Sequence, residues 1–203
     1  HLENQGLASG QPAEPIAVMI PELGLTPDDR TSQEEVAALW EKLGLDANRP
    51  CFVVLGTIEP RKNHLLLLNI WERMLQDADM ASVPQLLIIG GRGWENGAVF
   101  NLLDRSPAFQ GSVFEANKLS DREVRAALTG TAALLFPSFI EGLGIPLMEA
   151  QALGTPVIAS QIEVFEELAA PDTKLIAPLE GPAWIEAIRS RTSTPTTLRL
   201  AES

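Results

Sequence analysis

Six short apolar runs, each followed by a stretch with helical spacing, are the feature that most narrows what this chain can fold into. The runs are CFVVLGTI (51–58), QLLIIGG (85–91), GSVFEA (111–116), AALLFPS (132–138), TPVIAS (155–160) and KLIAP (174–178). Most are continuously apolar and not alternating, as strands buried on both faces must be. Between them the period changes to that of a helix. In 63–78, Leu66, Leu67, Ile70, Trp71, Met74 and Leu75 share one face. Thr31-Ser32-Gln33-Glu34 opens an earlier helix with an apolar stripe of Val36, Leu39, Trp40 and Leu43, and Gly44 is its stop. Ser120 and Glu123 have capping-box spacing and start a helix through Leu128. Helices are also expected over 145–154, 164–170 and 182–190, and more weakly over 95–105. Such alternation predicts an α/β fold, an open, mostly parallel six-stranded sheet with helices on both faces.

The 203 residues accommodate one domain of this kind and an appendage. Residues 31–190 are read as the domain and 191–203 as a loosely held C-terminal tail. Residues 1–30 are rich in Pro, Gly and short polar residues; HLENQGLASGQPAEP reads as a vector-derived scar plus linker, followed by one apolar island, IAVMIPELGL. No apolar run approaches the roughly 20 residues that span a bilayer, and no secretory signal is visible. A single cysteine, Cys51, cannot form an internal disulfide, which fits a reducing, cytoplasmic setting; its place in a strand makes it a buried apolar residue. With only two histidines, His1 among them, a histidine-based metal site is not expected. The net charge of −12 argues against nucleic-acid binding, which needs a basic face, and against adhesion to an anionic membrane. A phosphate ligand would have to be held by a few cations placed against that field.

Open α/β sheets bind ligands outside the carboxyl ends of their strands. The informative loops are therefore GTIEPRKN, GGRGWENG, EANKLSD and SFIEGLGIP. In EGLGIPLMEA (141–150), Gly142 and Gly144 let backbone approach a ligand, and Pro146 presets the first helical turn. Free amides at a helix start attract an anion such as phosphate. Glu141 precedes the turn; Glu149 lies one turn inside the helix, where its carboxylate can accept from a vicinal diol such as ribose. The arrangement fits a sugar nucleotide, with a hydroxyl-rich unit on each side of a diphosphate. It also fits a plain helix entry, because first-turn acids are favoured by the dipole alone. In GTIEPRKN, Arg61 and Lys62 sit where two cations oppose the coming helix dipole, which a bound anion would reverse; a solvated surface pair is the other reading. His64 is read as a helix-start residue and not a base. GGRGWENG lacks the third glycine of a dinucleotide fingerprint, having Asn96 there, and follows the second strand, so a nicotinamide dehydrogenase is disfavoured. Arg92 and Trp94 could line a cleft, with Trp94 expected in buried or interface packing. No P-loop, Gly-x-Ser-x-Gly elbow or cysteine pair occurs.

Taken together, FPSFIEGLGIPLMEAQALGTPVIAS resembles the donor-binding signature of retaining glycosyltransferases of the GT-B fold, family 4, the glycosyl transferases group 1. Two glutamates, Glu141 and Glu149, flank a Gly-x-Gly turn, and Gly154-Thr155-Pro156-Val157-Ile158-Ala159-Ser160 follows. Leu143 stands where the family has an aromatic residue. LGTIEPRKNHLLLL resembles the phosphate loop; Thr57 replaces the commoner Arg, and Arg61-Lys62 supply the charge, as in mannosyltransferase-like members. The resemblance covers about residues 50–190 and implies one Rossmann-like half of a GT-B fold. It implies ribose binding by Glu149, sugar contact by Glu141, and diphosphate neutralisation by Arg61 and Lys62. Backbone around Gly142, Leu143, Gly144 and Ile145, with Gly56 and Thr57, would face the donor. The implied reaction moves a mannose-like sugar from a nucleoside-diphosphate sugar to a glycan or lipid-linked acceptor, as in polysaccharide biosynthesis, with no metal or other cofactor. The acceptor-binding N-terminal domain is the partner not found here; the expected whole enzyme is cytoplasmic and peripheral to the inner membrane through that half, and this piece alone is expected to be inactive. Other readings are a non-catalytic nucleotide-sugar-binding or regulatory module, and an epimerase- or phosphorylase-type sheet. The missing Gly-x-Gly-x-x-Gly and cofactor-lysine loop count against that last pair.

Overall fold

The computed structural model describes residues 29–192. Along the chain come α1 (Gln33–Leu43), β1 (Cys51–Leu55), α2 (His64–Asp77), β2 (Gln85–Ile89), α3 (Gly97–Arg105), β3 (Val113–Ala116), α4 (Asp121–Gly130), β4 (Ala133–Phe136), α5 (Ile145–Ala152), β5 (Val157–Ser160), α6 (Glu163–Leu168), β6 (Lys174–Ile176) and α7 (Gly181–Thr192). The six strands form one sheet in the order β3-β2-β1-β4-β5-β6. Every pairing is parallel, so the expected mostly parallel sheet is wholly so among the described residues.

The continuous apolar runs resolve into two alternating sets, because successive side chains of a strand point to opposite faces. Val53, Leu87, Leu134, Phe136 and Val157 join one core with Val36, Leu39 and Trp40 of α1, Ala127 and Leu128 of α4, Leu147 of α5 and Phe165 of α6. Phe52, Val54, Leu86, Ile88 and Leu135 join the other, against Leu67, Leu68 and Trp71 of α2, Val99 of α3 and Trp184 of α7. Helices therefore cover both faces. Cys51 is buried in the first core, where desolvation pushes its thiol up to about 12, as an inert apolar filler.

Local signals govern the helix ends. Ser32 and Glu35 form a reciprocal capping box, as do Ser120 and Glu123, and Gly44 closes α1 with φ of 72°. The strands are shorter than the apolar runs. β1 stops at Leu55 because the chain turns at Gly56, and Ile58 then makes only an isolated bridge to Arg92. Two domain edges also shift. α7 extends through Thr192, taking the first residues of the expected tail into a helix. Arg30, expected in the linker, donates from Nε to the Leu153 carbonyl at 2.5 Å and from Nη2 to the Gly154 carbonyl at 3.3 Å. The island IAVMIPELGL lies outside the described residues.

The strand order runs outward from β1 to β3, then returns to place β4 on the other side of β1. The order thus reverses between β1 and β4, and the carboxyl edge at such a switch point is where doubly wound sheets take their ligands.

Candidate functional site

The loop after β1 is shaped by three residues. Gly56 has φ of 127°, and a Cβ there would lie 3.1 Å from Lys62 Cε, so the missing side chain makes room for the lysine stem. Pro60–Lys62 form a single 3₁₀ turn. Asn63 then adopts a left-handed conformation, φ 56°, which its short polar side chain tolerates. Its Nδ2 donates to the Pro137 and Pro178 carbonyls, both at 3.1 Å, and the Phe139 amide donates to the Arg61 carbonyl at 2.8 Å. The loops after β1, β4 and β6 are thus tied at one point.

That tie brings Glu141 to the basic pair. Its Oε1 accepts from Lys62 Nζ at 2.6 Å and from Ser138 Oγ at 2.7 Å; its Oε2 accepts from Arg61 Nη1 at 3.1 Å. The Glu141 and Lys62 side chains are 7% and 9% exposed. Lys62 Nζ also lies 4.9 Å from the Phe136 ring centre. Arg61, more open, reaches Glu59 through Nη2 at 2.6 Å. The expected conflict between two cations and the α2 dipole is relieved in this structure by carboxylates, which make a cluster of two positive and two negative groups with no net charge.

The α5 entry lies next to this cluster. Gly144 precedes the helix at φ 59°, and a Cβ on it would press on the Phe165 ring at 3.1 Å, so glycine is required twice over. Gly142 has open space and no positive φ; its value is access alone, and the conformational argument for it does not hold. Leu143 and Ile145 expose apolar side chains beside it. In the first turn of α5 the Leu147 amide donates to the Gly144 carbonyl at 2.9 Å and Pro146 has no N–H, so the donors that the helix start offers are the Gly144 and Ile145 amides. Glu149 is half-buried one turn in. Burial raises its carboxyl above the usual range, Asp121 raises it further, and Arg125 opposes both. The sequence-predicted residues Gly56, Arg61, Lys62, Glu141, Gly142, Leu143, Gly144 and Ile145 are thus carried by the two loops that flank the switch point and the helix start one of them leads into. Thr57 is exposed at the same edge, and Glu149 stands on α5 below it.

The loop after β2 serves a different purpose. A Cβ on Gly90 would collide with the Gly56 carbonyl, and one on Gly93 would come 2.7 Å from Thr57 Cγ2. These glycines let the loops after β1 and β2 pack closely. Arg92 is held by Asp104 at 2.6 Å and Glu115 at 2.8 Å, which raises its pKa, and it stacks on the Phe100 ring at 5.3 Å. It braces α3 against β3. Trp94 is 64% exposed, so of the buried or interface packing expected of it, burial within this domain is excluded. His64 heads α2, buried, with neither ring nitrogen hydrogen-bonded; burial and then Lys62 push its pKa down to about 4.

Four participants were not legible beforehand: Glu59, Asn63, Phe136 and Ser138. Asn63 directly before a helix carries a cap-like signal, yet its partners lie 74 and 115 residues away. Among the described residues no group of three or more His, Cys, Asp or Glu side chains is placed to hold a metal ion, and no helix is long and apolar enough to cross a membrane.

Comparison with known proteins gives the family and the fold. The sequence profile of a family described as glycosyl transferases group 1 matches residues 37–193. The serotype-specific mannosyltransferase WbdA of Escherichia coli is 33% identical over 123 residues, which are 61% of this chain and 15% of that protein. The chain therefore spans only a small part of that relative. Among solved structures, WaaG, a glycosyltransferase involved in lipopolysaccharide biosynthesis, superposes with a TM-score of 0.68 at 19% identity, over 88% of this chain and 48% of its own. Anabaena HepE in complex with UDP-glucose superposes with a TM-score of 0.67 at 16% identity, over 87% of this chain and 50% of its own.

Proposed function

The chain belongs to the glycosyl transferases group 1 family, and from that premise we propose that it is the donor-binding half of a retaining glycosyltransferase, taking a nucleoside-diphosphate sugar between the loops after β1 and β4. The observation that carries this reading is the meeting of Glu141 with Arg61 and Lys62 beside the start of α5, at the point where the strand order reverses. A diphosphate placed there has two cations and the positive end of a helix to receive it.

The chemistry asked of these groups is stabilisation of a leaving group. As the bond from the sugar's anomeric carbon to the diphosphate oxygen lengthens, negative charge grows on the diphosphate. Lys62, Arg61 and the Gly144 and Ile145 amides at the start of α5 meet that charge with fixed donors, a task that needs no metal ion. Glu149 is a carboxylate whose burial costs energy, and two ribose hydroxyls would supply the hydrogen bonds that offset it. Glu141 contacts the transferred sugar. A mannose-like sugar is favoured, in keeping with the basic pair in EPRK and with mannosyltransferases among the relatives. The acceptor, a glycan or a lipid-linked one, belongs to a separate N-terminal domain, which also carries any membrane contact, so this chain alone binds donor weakly and transfers no sugar.

A thermal-shift and calorimetric panel of nucleoside diphosphates and their mannose and glucose conjugates tests the proposal. A ligand at a hundredfold excess over its Kd stabilises the fold by about 2.7 kcal/mol. The stabilisation should vanish in Lys62→Met. Indifference of the wild-type chain to every nucleoside diphosphate would refute the donor-site reading.

A further inference from the structure

Glu141 occupies both cations that the donor reading assigns to the diphosphate. One carboxylate bridges Lys62 at 2.6 Å and Arg61 at 3.1 Å, and Ser138 anchors the same Oε1 at 2.7 Å. With Glu59 on the far side of Arg61, the cluster is already neutral. A diphosphate entering it unchanged would add at least two negative charges to a balanced site in a chain of net charge −12. Both binding and balance are possible only if a carboxylate gives way. Glu141 is the one that can. It precedes Gly142, around which there is open space, and it is the group shared between the two cations.

We propose that Glu141 is a displaceable internal anion: it holds Arg61 and Lys62 in place, and the diphosphate takes over those two contacts and releases the carboxylate. The inference rests on the donor-site reading and adds regulation to it. The cations are preorganised by a stand-in of the right charge, so little side-chain ordering remains for the ligand to impose. A monovalent anion gains nothing by exchange, since it replaces one negative group with another. A diphosphate gains because it presents more charge and more acceptor oxygens to the same donors. The freed Glu141 is available to the sugar only after the diphosphate has arrived.

The consequence has an unusual sign: removing a residue of the site should tighten the anion. Isothermal calorimetry of the chain with inorganic pyrophosphate, and with the nucleoside diphosphate that the panel selects, reads it directly. Glu141→Gln should bind pyrophosphate about tenfold more tightly than wild type. Glu141→Asp keeps the charge but shortens the reach to Lys62, and should bind roughly threefold more tightly; it decides the matter if the glutamine variant does not fold. Chloride should leave the wild-type affinity for pyrophosphate nearly unchanged beyond ordinary screening. Pyrophosphate binding by wild type that is equal or tighter than in the folded variants overturns the exchange while leaving the donor site standing. No binding of pyrophosphate or any nucleoside diphosphate by wild type or variants overturns both.

Discussion

Breaking the Lys62–Glu141 pair one partner at a time, and then both, tests the core of the site. At 2.6 Å and an effective dielectric of about 20, the gross attraction is about 6 kcal/mol. With side chains 9% and 7% exposed, solvent screens little of it. Desolvation of the two ends takes back most of the gain, and a coupling of about 2 kcal/mol is what remains. Lys62→Met leaves Glu141 with Arg61 and Ser138, while Glu141→Gln leaves an ammonium group over the Phe136 ring. Each should cost about 2–3 kcal/mol, lowering Tm by roughly 5–10 °C for a chain of this size. The double variant should cost about the same as either single one, because no uncompensated buried charge remains. Urea unfolding at pH 7, with equal m-values across the four proteins, measures the cycle. Strict additivity, with coupling below about 0.5 kcal/mol, would show that the two groups do not act as a unit and would remove the physical basis for a shared anion site.

Three further outcomes follow from single positions. The folded imidazole of His64 titrates near 4 and the unfolded one near 6.5, so the unfolded chain takes the proton first; this contribution is whole above pH 6.5 and is lost as pH falls toward 4. The loss amounts to about 3 kcal/mol over that window, and His64→Leu should flatten that part of a stability–pH curve; an unchanged acid slope would contradict it. Burial raises the Glu149 carboxyl, so its favourable contribution is present below the unfolded value and lost as pH rises through the raised one. At pH 7, Glu149→Gln should raise Tm by roughly 1–2 °C while weakening nucleoside-diphosphate binding by about tenfold or more, and a fall in Tm would mean the carboxylate is structural. Lys118 sits at φ 64°, so Lys118→Gly should stabilise the fold by about 1 kcal/mol in urea unfolding; destabilisation would show that its side chain makes a contact worth more than the strain.

The fold was legible because its signals are local and repeated. Continuous apolar runs admit few arrangements other than a sheet covered on both faces, and the Ser120–Glu123 capping box and the Gly44 stop are set by neighbours in sequence. The strand order was not legible, since no local signal says that β4 returns beside β1. The site divided along the same line. The α5 entry declared itself through Gly144 and Pro146, whose backbone demands are intrinsic to the residue type. The meeting of residues 61–62 with 141 did not, because it depends on Asn63 reaching carbonyls far along the chain. Trp94 divides the same way: a large apolar side chain is usually packed, and only the placement of the β2 loop leaves it outside this domain's core.

The distribution of backbone strain gives an independent reason to place function at the carboxyl edge. At the amino edge, left-handed conformations are carried by Gly44, Gly111 and Gly154, where they cost little. At the carboxyl edge the chain puts Asn63 after β1, Glu95 after β2 and Lys118 after β3 into the same region of φ. Glycine would relieve Glu95 and Lys118 at once, and the same edge does use it at Gly56, Gly90 and Gly144. Left-handed backbone without glycine costs about 1 kcal/mol at each of these two positions. The same edge holds the half-buried Glu149, the nearly buried ion pair and the unpartnered imidazole of His64. Away from it, caps, apolar periods and turn residues agree with one another. Local rules fail together on one side of the sheet, and a chain selected for stability alone has no reason to gather its costs there.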